Sequence, residues 1–129
     1  MCLIHDLGEA VTGDIPCFSK TESDEQTERL AVEGLLSHLS EDVRENFRAL
    51  YLEIEECRTP EAKLFKALDS LEAVISHNEA DISTWEPHEY ALQLRHGADR
   101  VGWSEWLTAL KAEIDRDTLR KIESESSDN

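Results

Sequence analysis

The chain has 129 residues, enough for one domain built around one core. With 40% hydrophobic and 33% charged residues and only five Gly and three Pro, it is globular and reads as all-α. Its 29 acidic and 13 basic residues give a formal charge of −16, which excludes polymeric nucleic acid and anionic membranes as partners but leaves room for a small phosphorylated substrate beside a bound cation.

Leu3, Ile4, Leu7 and Val11 recur at helical spacing, so residues 1 to about 10 read as the last turns of a helix closed by Gly8 and Gly13. Gly13, Pro16 and Ser19 mark a loop to about Ser23. Ser23 with Gln26 suits a capping box opening a second helix through about His38. Ser40 starts a third, with Val43, Phe47, Leu50, Tyr51 and Ile54 at the 3.6-residue period. Thr59-Pro60 is an N-cap followed by proline at the first helical position. That fourth helix runs to about Glu79, with Leu64, Phe65, Leu68, Leu71 and Ile75 as its apolar stripe. A shorter helix spans residues 87–96 and stops at Gly97. Ser104 caps a last one, turning Trp106, Leu107, Leu110 and Ile114 inward, and the tail SESESSDN is polar and frayed.

Cys2, Cys17 and Cys57 are odd in number and form no CxxC pair, which fits a reducing cytoplasm rather than a disulfide framework. The first residues carry no basic leader, and no apolar run approaches the ~18 residues of a membrane span. A soluble cytoplasmic protein is expected.

Two stretches carry chemistry. In IHDLGEAVTGDIP, residues 4–16, His5, Asp6 and Glu9 share one broad sector of a helix, and Asp14 follows in the loop. A neutral imidazole beside a carboxylate suits Mn, Fe, Co, Ni or Zn. A His-Asp doublet alone is better explained by a helix cap or a salt bridge at a helix end. In TPEAKLFKALDSLEAVISHNEA, residues 59–80, Glu61, Glu72 and Glu79 project into the same sector as the apolar stripe, with Asp69 at its edge. A carboxylate facing a core is costly without a cation or donors. For Asp69 and Glu72 in mid-helix, a metal, a buried basic partner and simple exposure remain open.

HDLGEAVTGDIP followed by EAKLFKALDSLEA resembles the HD-domain metal-dependent phosphohydrolases, in particular the branch containing the bacterial 5′-deoxynucleotidases and their HD-domain-containing relatives. The resemblance covers residues 1 to about 80 at motif level and extends loosely to about Trp106. It implies an HD-type helical bundle over residues 1–122, with 123–129 as tail. It also implies a divalent metal (Mn, Co, Fe, Ni, Zn or Mg) held by His5, Asp6 and Asp69, with Glu9 and Asp14 taking part in hydrolysis. Glu9 is assigned to orienting the nucleophile and Asp14 to assisting the leaving group, roles that exchange without conflict. Lys20, Glu61, Lys63, Lys66 and Glu72 match recurrent positions and are expected to support the site.

The family pattern also has a metal-binding histidine and a basic residue upstream of the doublet, whereas only Met1-Cys2-Leu3-Ile4 precede His5. The expectation is a member lacking its first helices, with an open pocket and apolar surface that favours a homodimer. His38, His77, His88 and His96 read as surface or structural residues. The implied activity is hydrolysis of nucleoside or deoxynucleoside 5′-monophosphates. The alternative is a catalytically impaired helical module with a binding or oligomerisation role.

Overall fold

The computed structural model describes residues 1–15 and 19–128; part of the expected loop, with Cys17, lies outside them. The described residues form seven α-helices and one 3-10 turn, with no strand among them, as the all-α expectation requires. No helix among them is long and apolar enough to cross a membrane. The chain divides into two compact units, Met1–Ala62 and Lys63–Asn129.

In the first unit, residues 2–8 form successive turns, and helix α1 is confined to Glu9–Thr12. Ile4 and Leu7 donate to carbonyls three residues back, Met1 and Ile4, so a regular helix does not propagate through the doublet. Helix α2, Glu22–Leu36, is capped by Thr21 rather than by Ser23. The Thr21 hydroxyl accepts from the Asp24 amide at 3.4 Å, and the Asp24 carboxylate accepts from the Thr21 amide at 2.8 Å. The box thus has the anticipated spacing but begins two residues earlier, where both of its members are present.

Helix α3, Glu41–Glu56, follows Ser40 and is tied to α2 by Arg48, which binds the Glu33 carboxylate at 2.6 Å and Glu45 at 2.7 Å. The Tyr51 hydroxyl donates to the Ile4 carbonyl, anchoring the segment before the doublet onto α3. Val32 and Leu36 of α2 and Ile54 of α3 are buried. Gly8 is buried against α2: a Cβ there would stand 2.5 Å from Glu28 Cγ and 2.9 Å from the Glu28 carbonyl oxygen. Only a glycine lets the two backbones approach this closely.

Helix α4, Pro60–Glu79, starts where the sequence placed it, with the Ala62 amide donating to the Thr59 hydroxyl at 3.2 Å. Its stripe is phased differently from the expectation. Phe65 and Leu71 are buried, but Leu64, Leu68 and Ile75 are 41%, 39% and 38% exposed. The face that enters the second unit's core is Ala67, Leu71 and Val74, packed with Val101, Leu107 and Ile114. The small residues Ala67 and Ser70 on this face permit close approach, and Gly97, at φ 75°, would place a Cβ 3.1 Å from Ser70 Cβ. The core is therefore centred about one residue, or 100°, away from Leu68. Asp69, Glu72, Glu61 and Glu79 are exposed, so no carboxylate of this helix has to be accommodated in that core.

After the 3-10 turn Ile82–Thr84 come α5, Glu89–Arg95, the unanticipated short α6, Ala98–Val101, and α7, Glu105–Asp128. The Leu107 amide donates to the Ser104 hydroxyl at 3.4 Å. From that cap Leu107, Lys111, Ile114 and Thr118 face inward, leaving Trp106, expected inside, 64% exposed. Gln93, fully buried, donates to the Val74 carbonyl at 2.7 Å and accepts from His77 Nδ1 at 2.9 Å. His77 also stacks on Trp85 with ring centroids 4.4 Å apart, the structural role expected of it. Helix α7 continues to Asp128 where a frayed tail was expected, and Lys121 donates to the Asn78 carbonyl at 2.8 Å near its last turns.

Candidate metal centre

The turn that precedes α1 sets the doublet. The Cys2 carbonyl accepts from His5 Nδ1 at 2.9 Å, leaving Nε2 to face Asp6 Oδ2 at 2.8 Å. A carbonyl on one ring nitrogen fixes the orientation of the other, the usual support for a ligating imidazole. Two neighbouring donor atoms on one ion, each ~2.1 Å from it, stand about 3 Å apart. The 2.8 Å between Nε2 and Oδ2 is an ion-pair distance, and it is also compatible with two donors on one ion.

One turn on, Glu9 joins Asp6, and the close approach at Gly8 brings Glu28 of α2 to them. Carboxylate oxygens of Asp6, Glu9 and Glu28 lie within 4.8 Å of one another. Three such groups repel unless a cation joins them. Lys20 supplies one positive charge, with its Nζ 2.5 Å from Glu28 and 3.8 Å from Glu9. Burial pushes the Glu9 carboxyl up, the charges of Asp6, Asp14 and Glu28 push the same way, and Lys20 partly opposes them. Burial acts to lower the Lys20 ammonium, but its hydrogen bond to Glu28 and the charges of Glu28, Glu9 and Asp6 outweigh this and raise it. Three carboxylates against one ammonium leave two negative charges, and hard oxygen donors beside an imidazole are a suitable set for a divalent ion.

Of the expected site residues, the structure therefore pairs His5 with Asp6 and groups Asp6 with Glu9. Asp14 lies exposed two residues past the end of α1, close enough for its charge to act on Glu9. Asp69 stands exposed on α4 in the second unit, where its charge opposes the burial that lowers His96. Among the supporting positions, Lys20 enters the carboxylate group, Glu72 accepts from the Ser76 hydroxyl at 2.5 Å, and Lys66 lies 5.8 Å from the Phe65 ring centroid. Glu28 was not singled out from the sequence. Its one signal is indirect: a glycine between Asp6 and Glu9, in an otherwise helix-like stretch, marks a close backbone approach.

Residues 1–110, which contain the doublet and all of these side chains, match the family model described as HD domain. The chain belongs to the HD-domain family. This HD-domain family is metal-dependent, in keeping with the acidic group around Asp6. The chain is 34% identical over 91 residues to the 5′-deoxynucleotidase HDDC2 of Dictyostelium discoideum, covering 69% of this chain and 46% of that protein. It is 35% identical over 81 residues to the protein of the same name from Danio rerio, covering 61% and 40%, and 31% identical over 81 residues to that from Homo sapiens, covering 61% and 40%. The chain thus spans less than half the length of these curated relatives. No solved structure matches it.

Proposed function

We propose that this HD-domain chain belongs to a metal-dependent phosphomonoesterase acting on nucleoside 5′-monophosphates, deoxynucleotides among them. The observation that carries this reading is the His5–Asp6 pair, 2.8 Å between donor atoms, standing beside Glu9 in a chain whose curated relatives are named 5′-deoxynucleotidase. The family resemblance assigns the ion to His5, Asp6 and Asp69; a divalent ion held there would supply Lewis-acid stabilisation of the phosphoryl oxygens and would make water acidic enough to attack. Glu9 orients the attacking water through a hydrogen bond, and Asp14 assists departure of the nucleoside's 5′ oxygen. Water adds to phosphorus, the phosphorus–O5′ bond breaks, and a proton passes to the leaving oxygen, giving nucleoside and phosphate. Lys20 keeps the excess negative charge of the cluster from repelling the substrate phosphate.

The test is phosphate release from a panel of nucleoside and deoxynucleoside 5′-monophosphates with added Mn²⁺ or Co²⁺. Release is expected, falling at least ~100-fold in Asp69→Ala, as for loss of a metal ligand. No release from any member of the panel with either metal sinks the reading for this chain.

A second reading, a non-catalytic helical module for binding or self-association, is favoured by apolar side chains in the first unit: Leu3 is 98% exposed, Leu30 69% and Val11 64%. Both readings are compatible with a cytoplasmic protein, which the free thiols Cys2 and Cys57 support.

A further inference from the structure

Helix α4 keeps part of its apolar surface outside the core. Leu64, Leu68 and Ile75 are 41%, 39% and 38% exposed, and at about 100° per residue Leu64 and Ile75 fall within about 40° of Leu68. Glu61, Glu72 and Glu79, all exposed, fall within about 40° of Leu68 on its other side. The result is an apolar strip about three turns long, edged by carboxylates. Among the described residues none of these three carboxylates makes an ion pair. The helix's own cations, Lys63 and Lys66, lie about 140–160° from Leu68, on the far side. Asp69 stands about 100° round, outside the strip.

We propose that this face of α4 docks a basic amphipathic helix, with Leu- or Ile-type side chains at i, i+3, i+4 and i+7 and Lys or Arg along the edge that meets Glu61, Glu72 and Glu79. Charge decides the occupant. A second copy of this face offers only carboxylates to carboxylates, on a chain of net charge −16. An anionic membrane is repelled by the same charge. A partner helix with basic flanks covers the leucines and supplies the cations that the strip lacks, as flanking charges do beside an apolar helix seam. Leu64, Leu68 and Ile75 give the affinity, and the three carboxylates select the partner's sign. The inference goes beyond the phosphohydrolase reading and does not depend on a metal.

The experiment is fluorescence anisotropy of a labelled synthetic peptide of ~18 residues, with Leu on one helical face and Lys on its flanks, titrated with the intact chain. A scrambled peptide of the same composition keeps the charge and loses the face. The ordered peptide is expected to bind at least about ten-fold tighter than the scrambled one at about 0.15 M salt. Leu64→Ser with Leu68→Ser is expected to weaken it by about ten-fold or more. Glu61→Lys, Glu72→Lys and Glu79→Lys together are expected to narrow the preference for the Lys peptide over a matched Glu peptide by at least about ten-fold. Equal binding of the ordered and scrambled peptides means attraction by bulk charge alone, and overturns the proposal. So does an unchanged preference in the charge-reversed variant. A molecular mass in light scattering that falls in Leu64→Ser with Leu68→Ser assigns the face to a second copy of the chain, and overturns it too. Far-UV circular dichroism checks folding; if the double serine variant loses its helical signal, the charge-reversed variant, altered only at exposed positions, decides by the same preference.

Discussion

At Gly8, between Asp6 and Glu9, there is no room for a side chain. In Gly8→Ala the new methyl meets both the side chain and the backbone of Glu28, so either the turn or α2 must move. Overpacking of this kind costs about 1–3 kcal/mol, and here it also carries Glu28 away from Lys20 and the doublet. Gly8→Ala is expected to lower the melting temperature and to weaken Mn²⁺ binding together; a variant as stable as the parent and with unchanged binding would remove Gly8 from the account. The doublet and the acidic residues near it could be found by eye because they are consecutive or one turn apart. Glu28 lies 19 or more residues from Asp6 and Glu9 in sequence, and no local pattern links it to them. Lys20 was noticed, but only its two distances reveal which carboxylate it sits closer to.

Helix α4 shows the same division at the scale of an element. Its start at Thr59-Pro60 was legible because a cap is a local event: one hydroxyl, one amide, three residues apart. Its buried face was not, because Leu64, Leu68 and Ile75 form as regular a stripe as the residues that in fact enter the core. Periodicity fixes the angle between residues, not the direction in which partners lie. The choice fell to Ala67 and Ser70, whose small side chains admit Val101, Leu107 and the Gly97 backbone. The consequence is measurable. Leu71→Ala is expected to cost about 2–5 kcal/mol in chemical denaturation, and Leu68→Ala less than about 1 kcal/mol. Equal losses would mean that the stripe around Leu68 is covered after all. Trp106 makes the same point on α7, where the Ser104 cap turns its neighbour Leu107 inward instead.

For the molecule as a whole, charge and exposed apolar surface pull against each other. A net charge of −16 opposes association at low ionic strength, while Leu3, Leu30 and Val11 favour covering apolar area. At near-physiological salt the repulsion is screened beyond about 8 Å, so self-association is expected to increase as salt is added. Light scattering at micromolar concentration is expected to give a dimer mass at about 0.15 M salt, and Leu3→Ser with Leu30→Ser to reduce it. A monomer mass at every salt concentration counts against the dimer, and leaves the metal chemistry untouched.

The sequence by itself determined the helical class, most of the helix starts and the doublet that places the chain in its family. Those properties depend on residues within a turn or two of one another, where spacing is geometry. Only the tertiary structure decided that α2 delivers Glu28 to Asp6 and Glu9, that Gly8 is the point of contact, and that Lys20 sits closer to Glu28 than to Glu9. These depend on which faces of separate elements meet, and that is set by the shapes and charges of side chains far apart in sequence.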